Sequence, residues 1–222
     1  MERIKKNIGG FGWDLDHAGR EIRREVERSD AARNRHKIVE TARKLFEERG
    51  VTCVNMEEIA RSAGVGKGTL YRRFPNKGLL CEALLDEPTR KFQEETLRSL
   101  GDAVSSPLAK LDLFLARLVH FMEENLDLLY GGNEPLCGAD RMARFAHPAY
   151  DWQRATVLGL LRMAERDGEL CTGLDLDYLA AALLAPLDLD FYYYQRRVQG
   201  IPEERISAGL RSLFTGCWKT QG

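Results

Sequence analysis

The stretch from Asn55 to Leu79, NMEEIARSAGVGKGTLYRRFPNKGL, constrains this chain more than any other, because it reads as two short helices joined by a tight turn. Asn55 suits an N-cap, and Glu58, three residues on, is spaced to reach back to the Asn55 backbone N–H in a capping box. Gly64 ends the first helix, since a sharp reversal wants a left-handed backbone that glycine adopts without steric penalty. Val65 plugs the turn, and a second helix runs from about Lys67 to Phe74, where Pro75 forces the preceding residue out of helical geometry. Ile59, Val65, Leu70 and Phe74 then fall where two crossed helices need an apolar core, with the small Ala60 near the crossing. That spacing is the one a DNA-binding helix-turn-helix requires.

Charge follows the same division. Residues 31–80 hold eleven Lys/Arg against five Asp/Glu, residues 1–30 hold seven of each, and residues 81–222 hold fifteen against twenty-two. The basic excess therefore sits with the helix-turn-helix, as a phosphate-facing module needs, and the acidic remainder should avoid DNA. A helix fits the major groove with its side chains against base edges while flanking cations neutralise phosphates. The candidate contacts are Arg35, Asn55, Gly66, Lys67, Gly68, Thr69, Tyr71, Arg72, Arg73 and Lys77, with Lys67 and Arg72 the choices for reading bases.

The glycine turn followed by GTLYRRFPNKGLL resembles the recognition helix and the start of the next helix in the TetR family of transcriptional repressors, whose usual pattern is G-V-S-x-G-T-L-Y-x-x-F-x-x-K. Gly64, Val65, Gly68, Thr69, Leu70, Tyr71, Phe74 and Lys77 match it. Gly66 departs, standing where the family usually has a serine N-cap, so a hydroxyl contact does not carry over. The resemblance covers roughly residues 35–80. It implies a homodimer on a double-stranded, palindromic DNA operator, released by a small-molecule ligand bound in the C-terminal part. It also implies that Thr69 and Tyr71 touch backbone or thymine methyls and that Lys77, with the N–H groups opening the next helix, grips a phosphate.

Elsewhere the chain reads as helical, giving an all-α fold: an N-terminal extension over 1–30, a helix-turn-helix domain over 31–80, and a ligand-binding and dimerisation bundle over 81–222. Leu15–Arg35 carries only a thin apolar stripe, which allows a helical extension of marginal stability, and the default is a solvated or partly disordered, flexible tail. The sharper alternative is a basic arm (Arg20, Arg23, Arg24, Arg28, Arg33) reaching a DNA groove. Arg33–Gly50 is amphipathic, with Ile38, Ala42, Leu45 and Phe46 on one face. Asn76 caps a further helix that Pro88 is expected to interrupt, giving it a fixed bend. After a linker signal at 105–107, Pro107–Tyr130 is a long helix with a leucine-rich face. A loop follows over 131–138, then one or two helical turns over 139–146, a helix over 147–166 ending at Gly168, and a mostly apolar run over 175–199. Pro202 opens a last helix whose stripe of Ile206, Leu210, Leu213, Phe214, Cys217 and Trp218 exceeds what a small bundle needs to cover. Ile206, Leu210, Leu213, Phe214 and Trp218 are accordingly the expected dimer interface.

The candidate ligand pocket is lined by Phe114, Phe121, Met122, Phe145, Trp152 and Asp188, with Tyr130 and part of Tyr192–Tyr194 also in reach. Taken singly, each aromatic fits core packing as well. Asp188 and Asp190 have no Lys or Arg three or four residues away, so each must be exposed, paired across helices or turned toward a ligand.

Other chemistry is poorly supplied. No His carries a glutamate three residues before it, and GxSxG, HExxH and a phosphate-binding glycine loop are all absent. No enzyme activity, metal or cofactor is therefore expected. The five cysteines are scattered and form no CxxC pair, which suits reduced thiols. With no apolar run near 20 residues and no apolar signal core at the N-terminus, a cytoplasmic protein without a membrane segment is expected. The reading from another class is a helical-bundle enzyme, or a metal or redox sensor, with a DNA-binding head.

Overall fold

The computed structural model describes residues 15–101, 105–131 and 143–215; for 15–30, 143–144 and 214–215 it describes the backbone path only. The loop expected over 131–138 falls outside these residues except for Gly131, as do Cys137, Cys217 and Trp218, and the side chains of Arg20, Arg23, Arg24, Arg28 and Phe214 are likewise outside. The described elements are α1 (Leu15–Arg49), α2 (Met56–Ala63), α3 (Lys67–Arg73), α4 (Lys77–Leu100), α5 (Pro107–Gly131), α6 (Pro148–Arg166), α7 (Leu176–Leu184), α8 (Leu189–Tyr193) and α9 (Glu203–Thr215). Short 3-10 turns cover Ala143–Ala146 and Ala185–Leu187, and a π turn covers Tyr194–Val198. Among the described residues there is no strand, and no helix is long and apolar enough to cross a membrane.

Two apolar cores organise the chain. The first joins Ile38, Ala42 and Phe46 of α1, Ile59 and Ala60 of α2, Leu70 of α3, Phe74, and Leu80, Cys81 and Leu84 of α4. Ile59 and Leu70 are fully buried, which fixes the crossing of α2 and α3. The second runs from Phe92 through the apolar face of α5, α6 and α7 to Tyr192, Ile206 and Leu210. Helix α4 is common to both, so a shift of α4 at one core is felt at the other.

The ends of α5 are tied by charge. Glu169 accepts from the Leu108 N–H at 3.0 Å and from the Ser106 hydroxyl at 3.2 Å, placing an anion at the helix N-terminus. Lys110, almost buried, donates to the terminal carbonyl of α4 at Leu100, 2.9 Å away. At the other end Gly131 leaves no room for a side chain: a Cβ there would lie 2.5 Å from Val51 Cγ1, so α5 abuts the turn after α1.

The expected break at Pro88 does not occur, and α4 runs unbroken from Lys77 to Leu100 with the proline inside it. Proline removes the bond to the Leu84 carbonyl and strains the turn before it. Leu84, fully buried in the first core, and Phe92, 9% exposed in the second, hold the helix on either side of that defect. The run 175–199 is instead divided into α7, a 3-10 turn at Pro186, α8 and the π turn. Asp188 starts α8 as its N-cap, its carboxylate accepting from the N–H groups of Asp190 (3.2 Å) and Phe191 (3.5 Å).

Candidate nucleic-acid interface and ligand cleft

The helix-turn-helix is built as its sequence prescribes. The Asn55 side chain accepts from the Glu58 N–H at 2.9 Å while Glu58 reaches back to the Asn55 N–H at 3.5 Å, closing the capping box. Arg49 holds the same carboxylate at 2.7 Å, and that guanidinium, together with the Asn55 N–H, keeps the Glu58 carboxyl below the usual range. Gly64 ends α2 with φ +61°, the left-handed conformation expected there. Helix α3 ends at Arg73, and Phe74 leaves helical geometry with φ −132° and ψ 89° ahead of Pro75.

Burial of Leu70 and Phe74 turns the rest of α3 outward. Lys67, Gly68, Tyr71, Arg72 and Arg73 are exposed, and Thr69 is half-buried. Neither Arg72 nor Arg73 forms an ion pair among the described residues, leaving both guanidinium groups available to a polyanion. Lys67 differs: its Nζ lies 2.6 Å from Glu57 Oε1, and that contact lowers the Glu57 carboxyl pKa. The two residues chosen for base reading are thus unequal, with Arg72 the one whose charge is uncompensated. Gly66 caps α3 without a side-chain bond, and a Cβ at Gly66 would meet only Thr69 Oγ1 at 4.0 Å, so the serine usual at this position would fit.

Asn76 caps α4 by accepting from the Leu79 N–H at 2.9 Å. Lys77 at the same helix start is half-buried, its Nζ 5.9 Å from the centre of the Phe46 ring. Arg35 sits beside the unit: its guanidinium lies 5.7 Å from the centre of the Phe74 ring and 3.5 Å from Asp86 of α4. The sequence named Arg35 without giving it a partner. Both partners come from tertiary packing, which local spacing does not encode.

On the bundle side, a cleft of about 380 Å³ opens between α4, α5 and α6. Its apolar walls include Phe92, Phe121, Trp152, Leu128 and Leu189, and its polar lining includes Glu82, Asp86, His147 and Gln153. Phe92 and Phe121 stack with centroids 4.8 Å apart, and Trp152 meets Phe92 edge-on at 5.8 Å. Phe92 was missed in the sequence, although its signal is there: it continues the stride of four from Leu80 through Leu84 and Pro88.

Of the six candidate ligand residues, Phe121 and Trp152 line this cleft. Phe114 lies behind it, buried and edge-on to Trp152 at 5.8 Å. Met122 is buried in the core, and Phe145 packs at the surface against Tyr150 with centroids 5.4 Å apart. Asp188 caps α8 next to Leu189, a local role that comes in addition to those considered from the sequence. Tyr130 stacks on Tyr193 at 3.6 Å, and Tyr192 is wholly buried, its hydroxyl donating to the Val119 carbonyl at 3.3 Å. Cys81 also lines the cleft, and burial pushes its thiol up to about 11, so it is uncharged at neutral pH.

A second cleft, of about 440 Å³, lies beyond the Phe92–Phe121 pair, which lines both. It is occupied by the protein's own charges, with Arg117 paired to Glu95 at 3.0 Å and His120 to Glu124 at 3.4 Å.

The stripe expected to form a dimer interface divides in two. Ile206 and Leu210 are 5% and 2% exposed because they close the bundle core against α5, whereas Leu213 is 53% exposed. The bundle therefore takes Ile206 and Leu210 for its own core, which corrects their assignment to the dimer interface, and leaves Leu213 outside it. A different apolar row is open to solvent: Phe191, Tyr194 and Val198, at spacings of three and four.

Residues 38–84 match the family described as bacterial regulatory proteins, tetR family. An HTH-type transcriptional regulator of Staphylococcus aureus (strain bovine RF122 / ET3-1) is 36% identical over 112 residues, spanning 49% of this chain and 60% of that protein. The chain thus aligns with less than two thirds of that relative's length. Among solved structures, the SmeT–triclosan complex superposes with a TM-score of 0.60 at 20% identity, covering 85% of this chain and 93% of the other. CprB from Streptomyces coelicolor, in complex with its biological operator sequence, superposes with a TM-score of 0.56 at 24% identity, covering 86% and 90%. At these identities the structures speak to the fold alone.

Proposed function

The chain belongs to the tetR family through its N-terminal domain, and from that premise we propose that it is a ligand-released, operator-binding transcriptional repressor acting as a homodimer. The observation that carries this reading is the exposed row Tyr71, Arg72 and Arg73, held on α3 by a fully buried Leu70, in a domain with a local excess of basic charge. Arg72 is assigned to base edges in the major groove and Arg73 to phosphate. Lys67, Gly68, Thr69 and Tyr71 complete the groove-facing surface. Asn55, Gly66, Lys77 and Arg35 sit around it as backbone contacts.

The effector binds in the cleft between α4, α5 and α6, against Phe121 and Trp152. Its presence reaches the DNA-binding head along two routes that share α4. One is the helix itself, packed in both cores. The other is Asp86, which lines the cleft and also pairs with Arg35, whose guanidinium lies over the residue that ends the recognition helix. Two protomers pair through the outer face of the last helices, using Phe191, Tyr194, Val198 and Leu213, so that two recognition helices meet a palindrome.

The test is a fluorescence-anisotropy titration of labelled duplexes cut from the DNA flanking the coding region, against an unrelated duplex of equal length and salt. Tighter binding to one flanking duplex by about a thousandfold or more supports the reading. Equal affinity for every duplex would remove it.

A further inference from the structure

We infer that the cleft between α4, α5 and α6 takes an organic cation with an apolar, aromatic body. The inference rests on the reading of that cleft as the effector site and adds the chemical class of its occupant.

The charges of the lining point one way. Glu82 and Asp86 line the cleft, and no Lys or Arg does. Lys77, on the same helix, lies over the Phe46 ring in the first core. His147 is turned to cap α6, its Nδ1 accepting the Ala149 N–H at 3.2 Å. Glu82 has no ion-pair partner among the described residues. Asp86 has Arg35, but at 3.5 Å and with its side chain 70% exposed, a contact loose enough for a competing cation to displace. An anionic ligand would meet two carboxylates and no Lys or Arg in the lining.

The walls point the same way. Phe92, Phe121 and Trp152 supply three aromatic rings around one space, and aromatic faces attract a desolvated cation through their quadrupoles. Leu128 and Leu189 supply the contact area that an apolar body needs. The neighbouring cleft serves as an internal contrast. It is lined by three acids, Glu87, Glu95 and Glu124, but also by Arg43, Lys91 and Arg117, with Arg117 paired to Glu95, so it offers no net negative charge to a cation.

The experiment uses the full chain and a matched pair of probes, tetraphenylphosphonium and tetraphenylborate, which have nearly the same shape and opposite charge. Calorimetric titration should show the phosphonium binding at least about tenfold tighter than the borate. The double variant Glu82→Gln with Asp86→Asn should erase that preference, two exposed carboxylates contributing up to about fivefold each. Both substituted side chains are exposed, so the fold should survive, and a thermal melt checks it. Filling the cleft from either of two positions, Ala149→Trp or Gln153→Trp, should abolish phosphonium binding. Equal affinity for the two probes, or an unchanged phosphonium affinity in the double variant, overturns the cationic class while leaving the cleft as the effector site. Failure of both probes to bind, or phosphonium binding that survives both filling variants, overturns the effector-site reading together with the class.

Discussion

Glu123 on α5 is the anchor of the last third of the bundle, and its removal has a calculable signature. Its carboxylate accepts from Arg196 Nε at 2.6 Å and Nη2 at 2.8 Å, from Arg197 at 3.2 Å, and from the buried Tyr192 hydroxyl at 3.3 Å. The hydrogen bonds from Arg196 dominate, outweighing the cost of burial, and hold the carboxyl at about 2, against an ordinary 4.5. Because the folded pKa is depressed, the contribution to stability is complete above the unfolded pKa and is lost as pH falls through about 2. The full shift corresponds to about 3 kcal/mol, of which about 2 kcal/mol disappears between pH 7 and pH 3. Urea unfolding of the wild type and of Glu123→Gln at both pH values isolates this from the other carboxylates. The stability gap between the two proteins should be about 3 kcal/mol at pH 7 and shrink by about 2 kcal/mol at pH 3. A gap that does not change with pH would refute the assignment of the shift to this ion pair.

Arg72→Ala should cost about 1–3 kcal/mol of operator binding and relax base preference, whereas Lys77→Ala should weaken binding to all sequences and flatten its salt dependence, both read by anisotropy over a salt series. Tyr194→Glu with Val198→Glu should give a folded monomer by light scattering, while Leu210→Glu, which buries an unpaired charge, should unfold the bundle by circular dichroism. Gly131→Ala should be destabilising by about 1–3 kcal/mol, because its Cβ would lie 2.5 Å from Val51 Cγ1. Combining it with Val51→Ala should recover only part of that loss, since the Val51 Cβ itself lies at 2.9 Å.

The head was legible in the sequence because each of its decisions is local. The Asn55–Glu58 capping box, the left-handed Gly64 and the exit at Phe74 before Pro75 are all written within a few residues of where they act. The Pro107 start of α5 and its leucine face followed from the same kind of signal. Pro88 did not, because a local rule was overruled by burial on both sides of the proline. The α9 stripe was visible as a stripe, yet its division between core and surface depends on α5, which lies elsewhere in the chain. The N-cap role of Asp188 was not legible for a related reason: the start of α8 that it caps is set by the 3-10 turn at Pro186, which the apolar run 175–199 does not announce. The cleft was only half legible. Aromatic residues could be named, but which of them face a space and which fill the core is decided by packing, as Phe121 and Phe114 illustrate.

The most direct measurement of the central claim is a nuclease footprint of the purified chain on the DNA flanking its own coding region, read at base resolution. The account predicts protection of a palindrome whose half-sites lie about one helical turn, or a whole multiple of it, apart. That protection should be lost in Arg72→Ala at a concentration that protects with the wild type. Uniform protection along the fragment, or a protected site indifferent to Arg72→Ala, would contradict it.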